Sequence, residues 1–211
     1  MSIPHRPPPA PDALVPAQDL INTWFGRIDG GGEEHLATPA DLVAWCRAHG
    51  SAVEDADVTG PQLALAHTVR EGVRAWLAPH NDAVRPEDAR ALERLAAVIP
   101  ELTLQVAVTE PPGLAPVAQG VRGALATVLA GPVLVGPKVW ARLKVCRDPR
   151  CRTAFHDYSR NGSGVWCSMA ACGAVNKQEA FVRRRRAQTQ ARKRSSAAEI
   201  WSGPPAQEDR T

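Results

Sequence analysis

Four cysteines, Cys146, Cys151, Cys167 and Cys172, carry the clearest chemistry in this chain, spaced C-x4-C-x15-C-x4-C. Two close pairs separated by about fifteen residues is the arrangement of a tetrahedral four-thiolate zinc site. Zinc has no geometric preference of its own, so the chain must supply the tetrahedron, and two cysteines on a tight turn supply one edge. Pro149 lies inside the first pair and favours that turn. Four thiolates complete the shell, so one Zn2+ here is structural rather than catalytic. The competing readings are disulfides, unrelated buried cysteines, an iron–sulfur cluster, or His156 replacing one thiol. The fifth cysteine, Cys46, stands among apolar residues and reads as core packing.

Eleven residues after Cys172 comes a run of four cations, Arg183, Arg184, Arg185 and Arg186, followed by Arg192, Lys193 and Arg194. Successive helical residues point about 100° apart, so four consecutive arginines face all sides and no face of that segment can be buried. It must project into solvent or lie along phosphates. With Lys177 these cations form the candidate nucleic-acid surface, contacting the DNA backbone and releasing counterions. RNA or the ribosome is a less favoured partner, and a solvated helix end is the plain alternative.

Charge divides the chain. Residues 138–194 hold fifteen Lys or Arg against three acids, and residues 1–137 hold nine against sixteen. The basic part suits a polyanion, and the acidic part is repelled by one. A module of about forty residues cannot bury enough apolar surface to fold alone, whereas metal binding supplies roughly 10–16 kcal/mol of apparent free energy in such modules.

The elements that must position these groups are read from pattern. Residues 1–11 are Pro-rich and read as a disordered lead, and residues 14–25 as a short helix. Gly30-Gly31-Gly32 reads as a flexible linker rather than a phosphate cradle, since no Lys and no strand-to-helix context come after it. Thr38-Pro39, Thr59-Gly60-Pro61 and Pro86 open three helices. Leu102, Leu104, Val106 and Val108 alternate with polar residues as in a strand, and Leu114–Val117 returns as a second. Residues 119–143 form one or two helices interrupted near Gly131-Pro132 and Gly136-Pro137. Thr153, Phe155 and Tyr158 belong to a hairpin with Asn161-Gly162-Ser163-Gly164 at its tip, and Cys167 and Cys172 then open a helix. Knuckle, hairpin and helix in that order is a treble-clef layout. The fold class is α+β, mainly helical: a disordered lead over 1–11, an α+β domain over 12–137, a zinc finger with a basic helix extension over 138–194, and a disordered tail over 195–211.

No apolar run approaches the roughly 20 residues a membrane span needs, and the stretch after Met1 lacks an apolar h-region, so a secretory leader is not expected. A cytoplasmic location is expected, where thiols stay reduced and paired cysteines favour metal. His35, His49, His67 and His80 are scattered without ligand spacing, and neither a P-loop nor a G-x-S-x-G elbow occurs, so no catalytic residue is assigned and an enzyme is not expected. Trp24, Trp45 and Trp76 read as core or interface anchors.

The stretch Arg142–Cys146, Cys151, Phe155–Asn161 and Trp166–Gly173 resembles the CGNR-type zinc finger. Leu20-Ile21-Asn22-Thr23 and Leu36–Trp45 are similar to the ABATE domain that precedes this finger. The resemblance implies a stress-related transcription regulator, and the Ala, Arg, Pro and Val bias suggests a GC-rich bacterial coding sequence. The leading reading is a DNA-binding regulator whose N-terminal domain senses a small-molecule effector or forms a homodimer. The rivals are a protein-interaction adaptor with a purely structural finger, and an enzyme with a site in the N-terminal domain. The chain departs from the family where Cys-Gly-Asn-Arg is replaced by Cys172-Gly173-Ala174-Val175, and where Gly162–Val165 replaces a basic loop. Zinc binding is untouched by either change.

Overall fold

A computed structural model describes residues 6–26 and 31–200, with side chains through residue 195. Two compact units result, Met1–Cys172 and Gly173–Thr211.

The first unit opens with helix α1 (Val15–Ile21) and strand β1 (Trp24–Gly26), which pairs antiparallel with β2 (Gly32–Glu34). Trp24 and Phe25 therefore lie in a strand, not in the helix expected over 14–25. Gly32 enters β2 rather than a linker, and Gly30 lies outside the described residues. Residues 6–11 are held rather than free: Ala10 N–H donates to Gln18 Oε1 at 2.6 Å, and Tyr158 Oη donates to the Pro9 carbonyl at 2.7 Å. Residues 1–5 lie outside the described residues.

Helices α2 (Pro39–Ala48), α3 (Gly60–Leu77) and α4 (Pro86–Val98) each begin as the sequence predicts, with proline in the first turn. A side chain three residues on satisfies each cap N–H. Asp41 Oδ2 accepts from Thr38 N at 2.8 Å, Gln62 Oε1 from Thr59 N at 3.1 Å, and Asp88 Oδ2 from Arg85 N at 2.8 Å. Strands β3 (Leu104–Ala107) and β4 (Gly113–Pro116) form the expected antiparallel ribbon. Helix α5 (Gly120–Val135) runs unbroken through Gly131-Pro132, contrary to expectation, and stops at Gly136, whose φ of 72° ends it. Gly131 permits a close approach, since a Cβ there would lie 2.4 Å from the Ala13 carbonyl oxygen. The short helix α6 (Pro137–Trp140) comes next, then β5 (Leu143–Val145) and β6 (Ala154–His156), an antiparallel pair.

One core unites these elements. Leu14, Leu20 and Ile21 pack with Leu42, Cys46, Val69, Val73, Leu77, Leu125 and Val128, and the same cluster takes in Leu143, Val145 and Ala154 of the β5–β6 ribbon. Cys46 is buried in it, and burial pushes its thiol up to about 11, as a packing residue requires. Trp45 is buried, whereas Trp76 is partly exposed and leans on Trp140 with ring centroids 4.9 Å apart. Among the described residues no helix is long and apolar enough to cross a membrane.

The second unit is one long helix, α7 (Ala174–Ile200). It runs six residues past Arg194, the end expected from the sequence. Residues 201–211, the rest of the expected disordered tail, lie outside the described residues.

Candidate metal centre and nucleic-acid interface

The metal centre is built on the β5–β6 ribbon. Alternation along β5 sends Leu143 and Val145 into the core and Lys144 to the other face. The turn joining the strands carries the first cysteine pair. Cys146 N–H donates to the Thr153 carbonyl at 2.9 Å, and Cys151 N–H donates to the Asp148 carbonyl at 3.1 Å. Asp148, fully buried, accepts from Arg150 N–H at 2.9 Å and pairs with the Arg150 guanidinium at 2.8 Å. Arg152 leaves the turn at φ 50°, in the left-handed region. The second pair comes from the chain beyond residue 165, with Cys172 in a π-helical turn over Met169–Gly173.

The expected hairpin with Asn161–Gly164 at its tip does not form. The partner of β6 is β5, ahead of the first cysteine, so the ribbon encloses the cysteine turn. Residues 157–164 instead fold back under Lys144. Its ammonium donates to Asp157 Oδ2 at 2.8 Å and to the carbonyls of Gly162 and Gly164 at 2.6 and 3.0 Å. Arg142 adds bonds to the carbonyls of Asp157 and Ser159 at 2.9 and 2.7 Å. Burial alone would raise the Asp157 pKa, but hydrogen bonds from Lys144, Ser159 and Gly164 outweigh it and hold the carboxyl well below its usual range.

All four sulfurs lie within 4.8 Å of one another; Cys151 Sγ is 3.5 Å from Cys167 Sγ, and Cys167 Sγ is 3.6 Å from Cys172 Sγ. The edge of a tetrahedron with zinc–sulfur bonds of about 2.3 Å is about 3.8 Å, so the set fits one such ion. Its electrostatics fit too. Cys146 and the adjoining sulfurs pull Cys151 down and push Cys167 up, and Cys146 and Cys151 push Cys172 up, so a thiolate on Cys151 opposes ionisation of Cys167 and Cys172 unless a cation lies among them. One structural zinc meets that demand with a closed shell, offering no open position for catalysis. His156 is not part of the cluster. It is 8 % exposed, neither ring nitrogen has a hydrogen-bond partner among the described residues, and its ring lies 4.4 Å from that of Tyr158.

Asn22-Thr23 lies in the stretch similar to the ABATE domain, where a helix-terminus or buried hydrogen-bond role is the plain expectation, and both residues make such bonds just past α1. Asn22 Nδ2 donates to the Ala154 carbonyl at 3.0 Å and Asn22 Oδ1 accepts from Ala154 N–H at 2.7 Å, so one side chain extends the β6 edge as a neighbouring strand would. Thr23 Oγ1 donates to the Leu20 carbonyl at 2.7 Å and accepts from Arg70 Nη1 at 3.1 Å. Other supports had no local signal. Asn81 Nδ2 reaches the carbonyls of Val145 and Val165 at 2.8 and 2.9 Å, and His80 Nδ1 contacts the Leu143 carbonyl at 2.8 Å. His49 and His67 likewise hold backbone carbonyls, those of Trp45 and Leu36, and neither falls in a group of metal-ligating side chains among the described residues.

The candidate phosphate-contacting residues, Lys177, Arg183–Arg186, Arg192, Lys193 and Arg194, all fall on α7. Residues 181–195 are exposed throughout, with seven cations and no acid. The Arg185 guanidinium lies 5.8 Å from the Phe181 ring centre.

Comparison with known families agrees with this geometry. Residues 142–185 match the CGNR zinc finger, a span that contains all four cysteines and the arginine run except Arg186. Residues 14–137 match the ABATE family, described as a putative stress-induced transcription regulator. No curated protein matches the chain in sequence. Since the ABATE match alone covers more than half of the chain and the finger comes after it in order, this protein belongs to the ABATE family and carries a C-terminal CGNR zinc finger.

Proposed function

We propose that the protein is a zinc-dependent, DNA-binding transcription regulator. In this reading residues 12–137 sense an effector or dimerise, and residues 138–194 form a finger of treble-clef type, its first cysteine turn enclosed by the β5–β6 ribbon, with its basic extension. The observation that carries the proposal is α7: a helix of 27 residues, roughly 40 Å long, whose exposed stretch 181–195 holds seven cations and no acid. A helix polar on every side gains nothing from burial, whereas phosphates on a duplex give such cations a partner. The family description supports regulation, and the four-thiol cluster supports a reducing cytoplasm, where zinc rather than a disulfide engages cysteines. Backbone contact rather than base readout is the role assigned, because the Asn and Arg of the finger's motif are replaced by Ala174 and Val175.

A salt titration of binding to random duplex DNA tests this. If seven cations contact phosphates, the slope of log K against log salt is about −6. Replacing Arg183–Arg186 together by Gln reduces that slope by about 3 to 4 while leaving zinc content unchanged. Absence of binding at low salt, or an unchanged slope in the variant, overturns the reading.

A further inference from the structure

A cavity of about 400 Å³ in the first unit is walled by α3, α4, Trp24 of β1 and Arg152 of the cysteine turn. We infer that it binds a small organic oxyanion, a carboxylate or a phosphate monoester, with the ligand's planar body against Trp24. This deepens the sensing half of the proposed function by giving it a place and a chemistry.

Arginine chemistry leads to this ligand class. Arg70 and Arg74 stand four apart on α3, hence on one face, and each is only 4 % exposed. Arg152 is 5 % exposed. Protein carboxylates hold these cations in fixed poses. Glu34 takes Arg70 with two bonds of 2.7 Å, Glu71 bridges Arg70 and Arg74, and Asp88 takes Arg152 at 3.0 Å. The donor set is still not exhausted: Nε of Arg74 and Nε of Arg152 are buried with no acceptor among the described residues. A buried guanidinium N–H without a partner is costly, and the two arginines that carry these groups, from separate elements, both line the same cavity. Five arginines (70, 74, 85, 94 and 152) and four acids (34, 71, 87 and 88) line it, an excess of one positive charge. Arg94 is exposed and makes no ion pair among the described residues, so it is placed to meet an anion as it enters. Planar guanidinium groups suit carboxylates and phosphates through paired N–H bonds.

Trp24 sets the rest of the ligand. The Arg74 guanidinium sits 5.2 Å from its ring centre, so the indole continues the cationic wall as an aromatic surface. The volume suits a ligand of metabolite size.

Arg152 is the residue next to the zinc ligand Cys151 and binds Asp88 of α4. An oxyanion that engages Arg152 therefore competes with Asp88 and acts on the cysteine turn itself. Occupancy of the cavity and the pose of the metal-bearing turn are linked through one side chain.

Isothermal titration calorimetry on the full zinc-loaded chain, without DNA, tests the inference with benzoate, phenyl phosphate and inorganic phosphate as probes and neutral benzamide as control. Expected is saturable one-to-one binding of benzoate or phenyl phosphate with Kd about 1 mM or tighter, and none of benzamide. Comparison with inorganic phosphate reads what the aromatic body adds. Ala91→Phe fills the cavity without altering its charge and abolishes binding, and Arg94→Gln, at the surface, weakens it about threefold or more. Zinc content and melting temperature show whether each variant is folded, and Arg94→Gln decides should Ala91→Phe lose its zinc. Failure of both organic oxyanions to saturate below about 10 mM, or wild-type binding by the folded variants, overturns the inference. Because DNA is absent, the result is independent of the salt titration.

Discussion

Lys144 and Arg74 are equally inaccessible cations of the first unit, 5 % and 4 % exposed, yet their surroundings differ in kind. All three Lys144 donors are engaged, one by a carboxylate and two by carbonyls of a single loop. Arg74 reaches Glu71 and the Ile21 carbonyl but keeps a buried N–H without an acceptor among the described residues, as does Arg152, and both residues line a cavity. A saturated buried charge acts as a clamp that fixes one conformation. A buried charge with donors to spare, next to open volume, fits a binding wall. The first cluster secures the metal centre, and the second faces a space that a ligand can enter.

Four groups of perturbations break or sharpen this contrast. The largest effect is expected from the metal that the clamped region serves. Structural zinc contributes on the order of 10 kcal/mol in small modules, comparable with the whole stability of a domain. Cys172→Ser or Cys146→Ser therefore loses zinc and unfolds the region from Leu143 onward, read by metal analysis and by loss of amide protection there. Full zinc retention in either variant contradicts a four-thiolate shell.

Next is the clamp. Lys144→Met takes the paired cation from buried Asp157, leaves it only the N–H bonds of Ser159 and Gly164, and costs about 2–4 kcal/mol in chemical denaturation. Its pH signature has a definite sign. The folded pKa of Asp157 lies below its unfolded value of about 3.9, so its contribution is complete above that pH and is lost as pH falls through the folded pKa. Asp157→Asn accordingly flattens the acid limb of the stability profile, and an unchanged limb rules the clamp out.

Smaller losses test the seams around the metal centre. At Gly164 a Cβ would sit 2.8 Å from Asp157 Oδ1, inside van der Waals contact, so Gly164→Ala costs about 1–3 kcal/mol by displacing that carboxylate. Asn22→Ala removes both bonds to Ala154 and costs a similar amount, with faster amide exchange at Ala154 as its local mark. Exchange unaltered at Ala154 means the Asn22 pairing does not hold the ribbon edge.

The smallest effect separates the two clusters most directly. Phenyl phosphate at ten times its Kd stabilises the wild type by about 1.4 kcal/mol through mass action. The same gain is retained in Gly164→Ala, whose lesion lies in the clamp, and vanishes in Ala91→Phe. Equal loss in both variants means that the two regions are one structural network rather than clamp and pocket.

Legibility in the sequence tracked how local each interaction is. The zinc quartet was readable because its ligands fall in two short-range pairs, and chelation depends on residue type and spacing alone. The helix starts at Thr38, Thr59 and Arg85 were readable in part because capping is a contact three residues long. The exposed arginine run was readable because four consecutive cations leave a helix no face to bury. Local reasoning failed where a distant partner overrode it. Gly131-Pro132 looks like a break, but close packing against Ala13 carries α5 through. Thr153–Tyr158 looks like the first arm of a hairpin closed by residues 161–164, but β6 pairs instead with β5 on the N-terminal side of the cysteine turn.

By itself, then, the sequence determined a closed zinc shell, a helix-rich framework with a few strand pairs, and a basic helix open to polyanions. Only the tertiary structure decided that Asn22 extends the β6 edge from 132 residues away, that Asp88 and Arg152 meet across 64 residues, and that buried arginines surround a cavity. The physical reason is chain connectivity. Contacts within a turn are set by residue spacing, whereas a bond across the chain exists only once the core has brought its two ends together, and no local pattern encodes that meeting.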